Sequence, residues 1–222
     1  MRGATILGLA VSLAALLAMT IGHLGDHQLD WRLNQISTYA ARAPYDHFVT
    51  AAMLLSAAAA TIVGFLASRH GVAGAGPWSH LIPILAGAVA AGLIMLALYE
   101  ESAATLAALR RSEFWAVRQQ SFHDAGLQVF FYGALLLVAV AGLLVLASAQ
   151  AFGERVLGAL IAASGPGAFL LMTTPWTEAV GMAGAYLGLQ QRASLLCLWV
   201  AMVLFLAVAA RRSSRPLPER SD

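Results

Sequence analysis

Six uninterrupted apolar runs, each about as long as a bilayer is thick, leave this chain few ways to fold. They occupy residues 4–24, 48–68, 80–100, 124–148, 156–174 and 192–210. About 20 mostly apolar residues carry a helix across a hydrocarbon core. Lipid offers no partner for an unpaired amide or carbonyl, so runs of this length cross as helices. An outer-membrane barrel would need alternating strands of about ten residues, and these runs have no such alternation. The expected fold is all-α: a polytopic integral membrane protein built as a six-transmembrane-helix bundle. Composition agrees, since 60% of the 222 residues are hydrophobic and 11% charged, too few polar side chains to cover a soluble domain. Residues 1–210 therefore read as one transmembrane domain and residues 211–222 as a basic cytoplasmic tail. Arg2 ahead of the first run also suits a signal peptide, but no small-x-small site closes the run, which argues against cleavage.

Charge placement narrows the partners. All 13 basic residues are arginines, found in connections and in the tail, so the chain has no nucleic-acid-binding face. Nucleic acid is excluded; membrane lipid is the expected partner, with another membrane protein as a second. With the N-terminus inside, the cytoplasmic side carries Arg2, Arg69, Arg155, Arg211, Arg212, Arg215 and Arg220. Arg32, Arg42, Arg110, Arg111, Arg118 and Arg192 fall outside. The clustered tail "RRSSRPLPER" decides a close balance in favour of both termini in the cytoplasm. Cys197 is alone, so no intrachain disulfide forms.

Two of the outer connections look structured. Leu29, Leu33, Ile36 and Ala40 recur at helical spacing, and "SAATLAALRRSEFWAVRQQSF" interleaves apolar residues with charges. Both predict short interfacial helices in the outer loops. Within the membrane, "SAAAATIVG" and "AGAVAAG" are small-residue faces that let backbones approach closely. "SGPG" at 164–167 interrupts the fifth run near its middle; it reads as a packing kink or as a broken helix lining a cavity. Pro83 falls in the first turn of the third run, where proline is harmless.

The chemistry-bearing side chains gather on one side. Alternate threading brings His23, Asp26 and His27 to the same outer face as Asp46 and His47, Glu100 and Glu101, His123 and Asp124, and Glu178. Four of six histidines and most of the acids lie there. His23 and His27, four apart, would share a helical face. With Asp26, Asp46, His47 and His123 they form the candidate set for a metal such as zinc or iron, although Gly25 interrupts the helix between the first two. Haem between two histidines is a weaker fit, because none lies deep in the bilayer. No motif calls for a cofactor. Ser121, His123 and Asp124 are close in sequence, but no Gly-x-Ser-x-Gly elbow accompanies them. The spans lack a charged midplane relay of the kind a proton-coupled transporter uses; Gln128 and Tyr132 are the nearest polar groups and read as interhelical hydrogen-bonding residues.

Three pieces, "LNQISTYAARAPYDHFVTAAMLLSAAAATIVG", "SFHDAGLQVFFYGALLLVAVAGLLV" and "YLGLQQRASLLCLWVAMVLFLA", together resemble the bacterial six-span family called domain of unknown function 998. That resemblance points to Ile36 and Ser37, to His123, and to Gly188 with Arg192. Thr38 departs from it, standing where an acidic residue is expected. The resemblance implies a fold and a bacterial inner-membrane location, with no activity to carry over. Ser37, His123, Asp124, Glu178 and Arg192 are thus the ligand-binding candidates. Arg192 needs a partner, most simply Asp124, Asp46 or Glu178, either as an ion-pair latch or as part of a headgroup site. The reading is a non-catalytic bundle binding a lipid, small ligand or partner protein at its outer polar face. The alternatives are a metal-dependent hydrolase acting on lipid and a haem-binding membrane protein.

Overall fold

The structure, a computed structural model, describes residues 2–25, 36, 46–70, 80–99, 103–174 and 187–213. Among them are seven helices: α1 (Arg2–Gly25), α2 (Asp46–His70), α3 (Leu81–Leu98), α4 (Ala103–Arg110), α5 (Phe114–Ala147), α6 (Phe152–Thr173) and α7 (Leu187–Ser213). All but α4 are long and apolar enough to cross a membrane. The protein is an all-α, multi-pass six-span bundle. The expected helix around Leu29 to Ala40, apart from Ile36, lies outside the described residues, as do Asp26, His27, Ser37, Glu100, Glu101 and Glu178.

The spans are apolar almost all round because lipid faces their outside. Leu13, Ile84, Leu136, Leu143 and Leu170 are exposed, while the polar hydroxyls are absorbed locally. Ser12, Thr61 and Ser164 each donate to the carbonyl one turn back, so these hydroxyl protons do not meet hydrocarbon unpaired. Pro83 sits in the first turn of α3, as its position predicts.

Two element boundaries differ from expectation. The second outer connection is not one interfacial helix: α4 ends in a tight turn, and residues from Phe114 onward already belong to the fourth span. The turn is a Schellman cap, with Glu113 N–H on the Ala108 carbonyl and Ser112 N–H on that of Leu109. Ser112 takes the left-handed position usually given to glycine, at φ 56°. Outside the span, Glu113 then accepts from Arg111 Nε and Trp115 Nε1, both at 2.7 Å. These bonds, the arginine's first, hold its carboxyl below the usual carboxylate range. At 34 residues, α5 is about 50 Å long, well beyond a hydrocarbon thickness. At the other end, α7 runs on to Ser213, so Arg211 and Arg212 are helical rather than part of a tail.

Spans consecutive in sequence pack as neighbours, α3 on α5 included, and α7 returns to α1, closing a ring; α7 also touches α2 and α5. One end of the bundle, the basic end, carries the start of α1, the end of α7, Arg155, Arg211 and Arg212. There the centre is filled by Phe205, Leu206 and Val208 of α7, all buried. Gly8 brings α1 onto Leu206 and Ile62, since a Cβ there would stand 3.1 Å from both side chains. A Cβ on Gly142 would run into the backbone of Ala162, and one on Gly158 would lie 2.7 Å from the Leu146 nitrogen, so α5 and α6 meet backbone to backbone.

The opposite, polar end is zipped differently. Gly22 of α1 abuts Val49 of α2, Gly92 of α3 abuts the backbone of Phe130 on α5, and Ser194 of α7 donates to Ala168 of α6. Three helix pairs approach closely there, and a cavity lies among them. α6 itself is continuous through Pro166, so of the two readings of "SGPG" the broken helix is not what forms. Carbonyls flanking the proline take bonds from α7: Ser194 Oγ on Ala168 at 2.8 Å, and Cys197 Sγ on Ser164 at 3.5 Å.

Candidate functional site

The space between the three pairs is a cavity of about 740 Å³ to which all six spans contribute. Its polar-end wall carries His23 from α1, His123, Asp124 and Gln128 from α5, and Gln191 and Arg192 from α7. Toward the bundle centre the lining turns to Leu93, Phe131, Leu137, Leu198, Trp199 and Met202. A graded wall of this kind is what an amphipathic molecule needs.

Each polar residue is held by identifiable chemistry. His123 is 4% exposed and its Nδ1 lies 2.9 Å from the carbonyl of Tyr99, just past α3. His23 does the same one turn back, Nδ1 to the Met19 carbonyl at 2.6 Å. A nitrogen facing a carbonyl carries the proton, so in the neutral ring Nε2 is the acceptor. Arg192 Nη1 donates to the Gly188 carbonyl at 2.8 Å, which gives the Gly-x-x-x-Arg spacing a geometric content: the two residues stack one turn apart. Asp124 accepts from Gln120 Nε2 at 2.9 Å. Ile36, buried and lining the cavity, donates its backbone N–H to Gln191 Oε1 at 2.8 Å and so ties the first outer connection to α7. Trp199 Nε1 donates to the Ser12 carbonyl at 3.1 Å, bridging α7 and α1 below the polar groups.

Of the ligand-binding candidates, His123, Asp124 and Arg192 come together on this cavity, while Ser37 and Glu178 fall outside the described residues. Among the metal candidates, His23 and His123 share the cavity, but Asp46 and His47 line a separate groove with Thr50, Leu98 and Gln119. His47 Nδ1 stands 3.4 Å from Asp46 Oδ1, and both are exposed. Among the described residues no three His, Cys, Asp or Glu side chains converge on a metal-sized site. Asp26 and His27 lie outside those residues.

Three features were not anticipated. Gln128 and Tyr132 face the cavity instead of bonding between helices. Asp124, Gln128 and Tyr132 recur every four residues, a polar stripe on one helical face that could have flagged them. No ion pair joins Arg192 to Asp124 or Asp46 among the described residues. Glu178, the third partner expected for Arg192, lies outside the described residues, and an ion-pair latch is present at the basic end, where Arg212 Nη2 meets Glu154 Oε2 at 3.1 Å and Nη1 donates to Ser148 Oγ at 3.0 Å. Glu154 is 3% and Arg212 15% exposed, so this pair fixes the ends of α5, α6 and α7 from within. His123 is also misplaced by the sequence reading: it lies well inside α5, buried, rather than at the opening of the fourth helix. No family model matches the chain, and no curated protein or solved structure matches it.

Proposed function

We propose that the protein is a non-catalytic binding bundle of the bacterial cytoplasmic membrane that holds one amphipathic lipid, headgroup at the polar end and chain among the aromatic and aliphatic side chains below. One observation carries this reading: a single cavity, lined by all six spans, passes from His23, His123, Asp124 and Arg192 to Leu137, Trp199 and Met202. Its volume, about 740 Å³, falls within the roughly 300–1,000 Å³ usual for small-molecule sites. Ionisable groups at membrane depth are costly unless they serve such a cavity. The arginine cluster at the end of α7 supports both termini in the cytoplasm, and on that reading the polar end lies at the outer leaflet. The resemblance to the six-span family supports the same location.

The test is mass spectrometry of an organic extract from detergent-purified protein. A lipid near one per chain is expected in the wild type and is expected to be depleted in Leu127→Trp, which fills the cavity wall. Equal lipid in both proteins would overturn the reading. Reporter fusions at the C-terminus check the orientation, with an outside C-terminus contradicting it.

The metal-dependent lipid hydrolase has one observation in its favour. His23 and His123 reach the same cavity with Nδ1 fixed on a carbonyl, the arrangement that metal-ligating histidines adopt. Stoichiometric zinc or iron after a mild chelator wash, lost in His123→Ala, would support it over the binding bundle.

A further inference from the structure

The seam between α5 and α6 changes along its length. In the basic half the two helices meet backbone to backbone, and toward the polar end the contact continues to Gly165, where a Cβ would stand 2.8 Å from the Leu135 carbonyl. Beyond that point each helix is held by a different neighbour. On α5, Gly126 and Phe130 lie against Gly92 of α3, and His123 reaches the Tyr99 carbonyl. On α6, the carbonyls of Ala168 and Thr174 accept from Ser194 and Gln190 of α7. The two helices therefore part toward the polar end. Gln128 and Tyr132 of α5, with Phe169 and Thr173 of α6, mark the rim of the gap: all four line the cavity and all four are exposed, Tyr132 by 56%. Counted from the Leu135 to Gly165 contact at about 1.5 Å per residue, Tyr132 and Phe169 stand at similar heights, and so do Gln128 and Thr173 above them. The seam between α7 and α1, by contrast, is crossed by the bond from Trp199 to the Ser12 carbonyl.

This rim is polar where lipid favours apolar side chains. With 18 residues, α3 is about as long as the hydrocarbon is thick, so the contact between His123 and Tyr99, just past its end, marks the membrane edge. Gln128 and Tyr132 follow His123 on α5, which puts them about 8 and 13 Å below that edge. Among the described residues neither side chain has a hydrogen-bond partner. An amide and a phenol at that depth are costly unless a polar group comes to meet them. Both donate, and the membrane groups that accept are the phosphate and ester oxygens of a phospholipid.

Resting on the lipid-binding reading above, we infer that a phospholipid enters and leaves the cavity sideways, from the leaflet at the polar end, through the gap between α5 and α6, with Gln128 and Tyr132 donating to its headgroup oxygens on the way. The full chain, purified in mild detergent with its bound lipid, is mixed with an excess of phosphatidylethanolamine and phosphatidylglycerol carrying deuterated chains, and native mass spectrometry follows replacement of the bound lipid over time. Gln128→Leu combined with Tyr132→Phe is expected to slow replacement by about tenfold, the effect of two lost hydrogen bonds on the route. In a Cys197→Ser background, Gln128→Cys and Thr173→Cys are joined after loading by bismaleimides of increasing length. That link should trap the bound lipid, whereas a link between Leu16→Cys and Leu196→Cys, across the seam of α7 and α1, should leave replacement at the wild-type rate. Replacement that is unchanged or faster in the double variant overturns the inference, as does trapping by the second link alone or failure of every spacer to join the first pair. Absence of any bound lipid in the wild type overturns the binding reading itself, and this inference with it.

Discussion

Gly142 and Leu137 lie close together on α5, yet they occupy different kinds of space. Gly142 is pressed against the backbone of Ala162, whereas Leu137 lines the cavity. The same contrast runs through the whole bundle. At the basic end, glycines bring α5 onto α6 and α1 onto α7, Phe205 fills the centre, and Arg212 with Glu154 ties three helix ends. At the polar end the closest approaches join α1 to α2, α3 to α5 and α6 to α7, and a cavity lies among them. Lipid tails are as apolar as leucine, so no hydrophobic effect drives spans together, and close packing and polar contacts hold them. An end with both throughout is a clamp; an end where they are fewer can keep a cavity.

Four experiments would break or sharpen that comparison. The largest effect is expected from Arg212→Met, which leaves Glu154 buried beside Ser148 without its cation and should cost about 4 kcal/mol. It would be read as a lower melting temperature in detergent, and the double variant with Glu154→Leu should recover most of the loss. If the single variant melts like the wild type, the basic end is not a clamp. Gly142→Leu comes next: the added side chain must push α5 off the Ala162 backbone, a cost of about 3 kcal/mol. Thermal unfolding followed by circular dichroism checks it.

At the polar end, Leu127→Trp should behave in the opposite way, changing stability by less than about 1 kcal/mol because the cavity has room for the ring. A large destabilisation there would mean that this wall is packed as tightly as the other end. The smallest effect concerns the turn between α4 and α5. The folded pKa of Glu113 lies below its ordinary 4.5, so its bonds to Arg111 and Trp115 contribute fully above that value and are lost as pH falls through the lowered one. Protection from hydrogen exchange at Ser112 and Glu113 should be constant well above 4.5, toward pH 7, and opening should rise as pH falls below 4.5. Glu113→Gln should remove that pH dependence.

Much of the bundle was legible in the chain. Six runs of about 20 apolar residues leave one structural solution in lipid, and alternate crossing then assigns His23, His123, Asp124 and Arg192 to one end. What was not legible concerns direction. The four-residue spacing of Asp124, Gln128 and Tyr132 marks one face of α5, but spacing alone could not say that this face borders a cavity shared with α1 and α7. Nor could it show that Phe114 begins the fourth span: the charged, aromatic residues before His123 look interfacial whether they form a separate helix or the emergent end of a long one. Glu154 and Arg212 were invisible as a pair, since each sits near a span end where a solvated charge is ordinary.

The sequence by itself therefore determined that the chain crosses a membrane six times as helices, and which titratable residues share an end. The free energy of desolvating the backbone dictates both, and that is a property of each segment separately. Only the tertiary structure decided that Asp46 and His47 part company with His23 and His123, that Arg192 and Asp124 line one cavity, and that an ion-pair clamp lies at the basic end. Those outcomes depend on how helices rotate against one another. Rotation is set by glycine-backbone contacts between segments far apart in the chain, such as Gly142 on Ala162 and Gly92 on Phe130, which no single segment encodes.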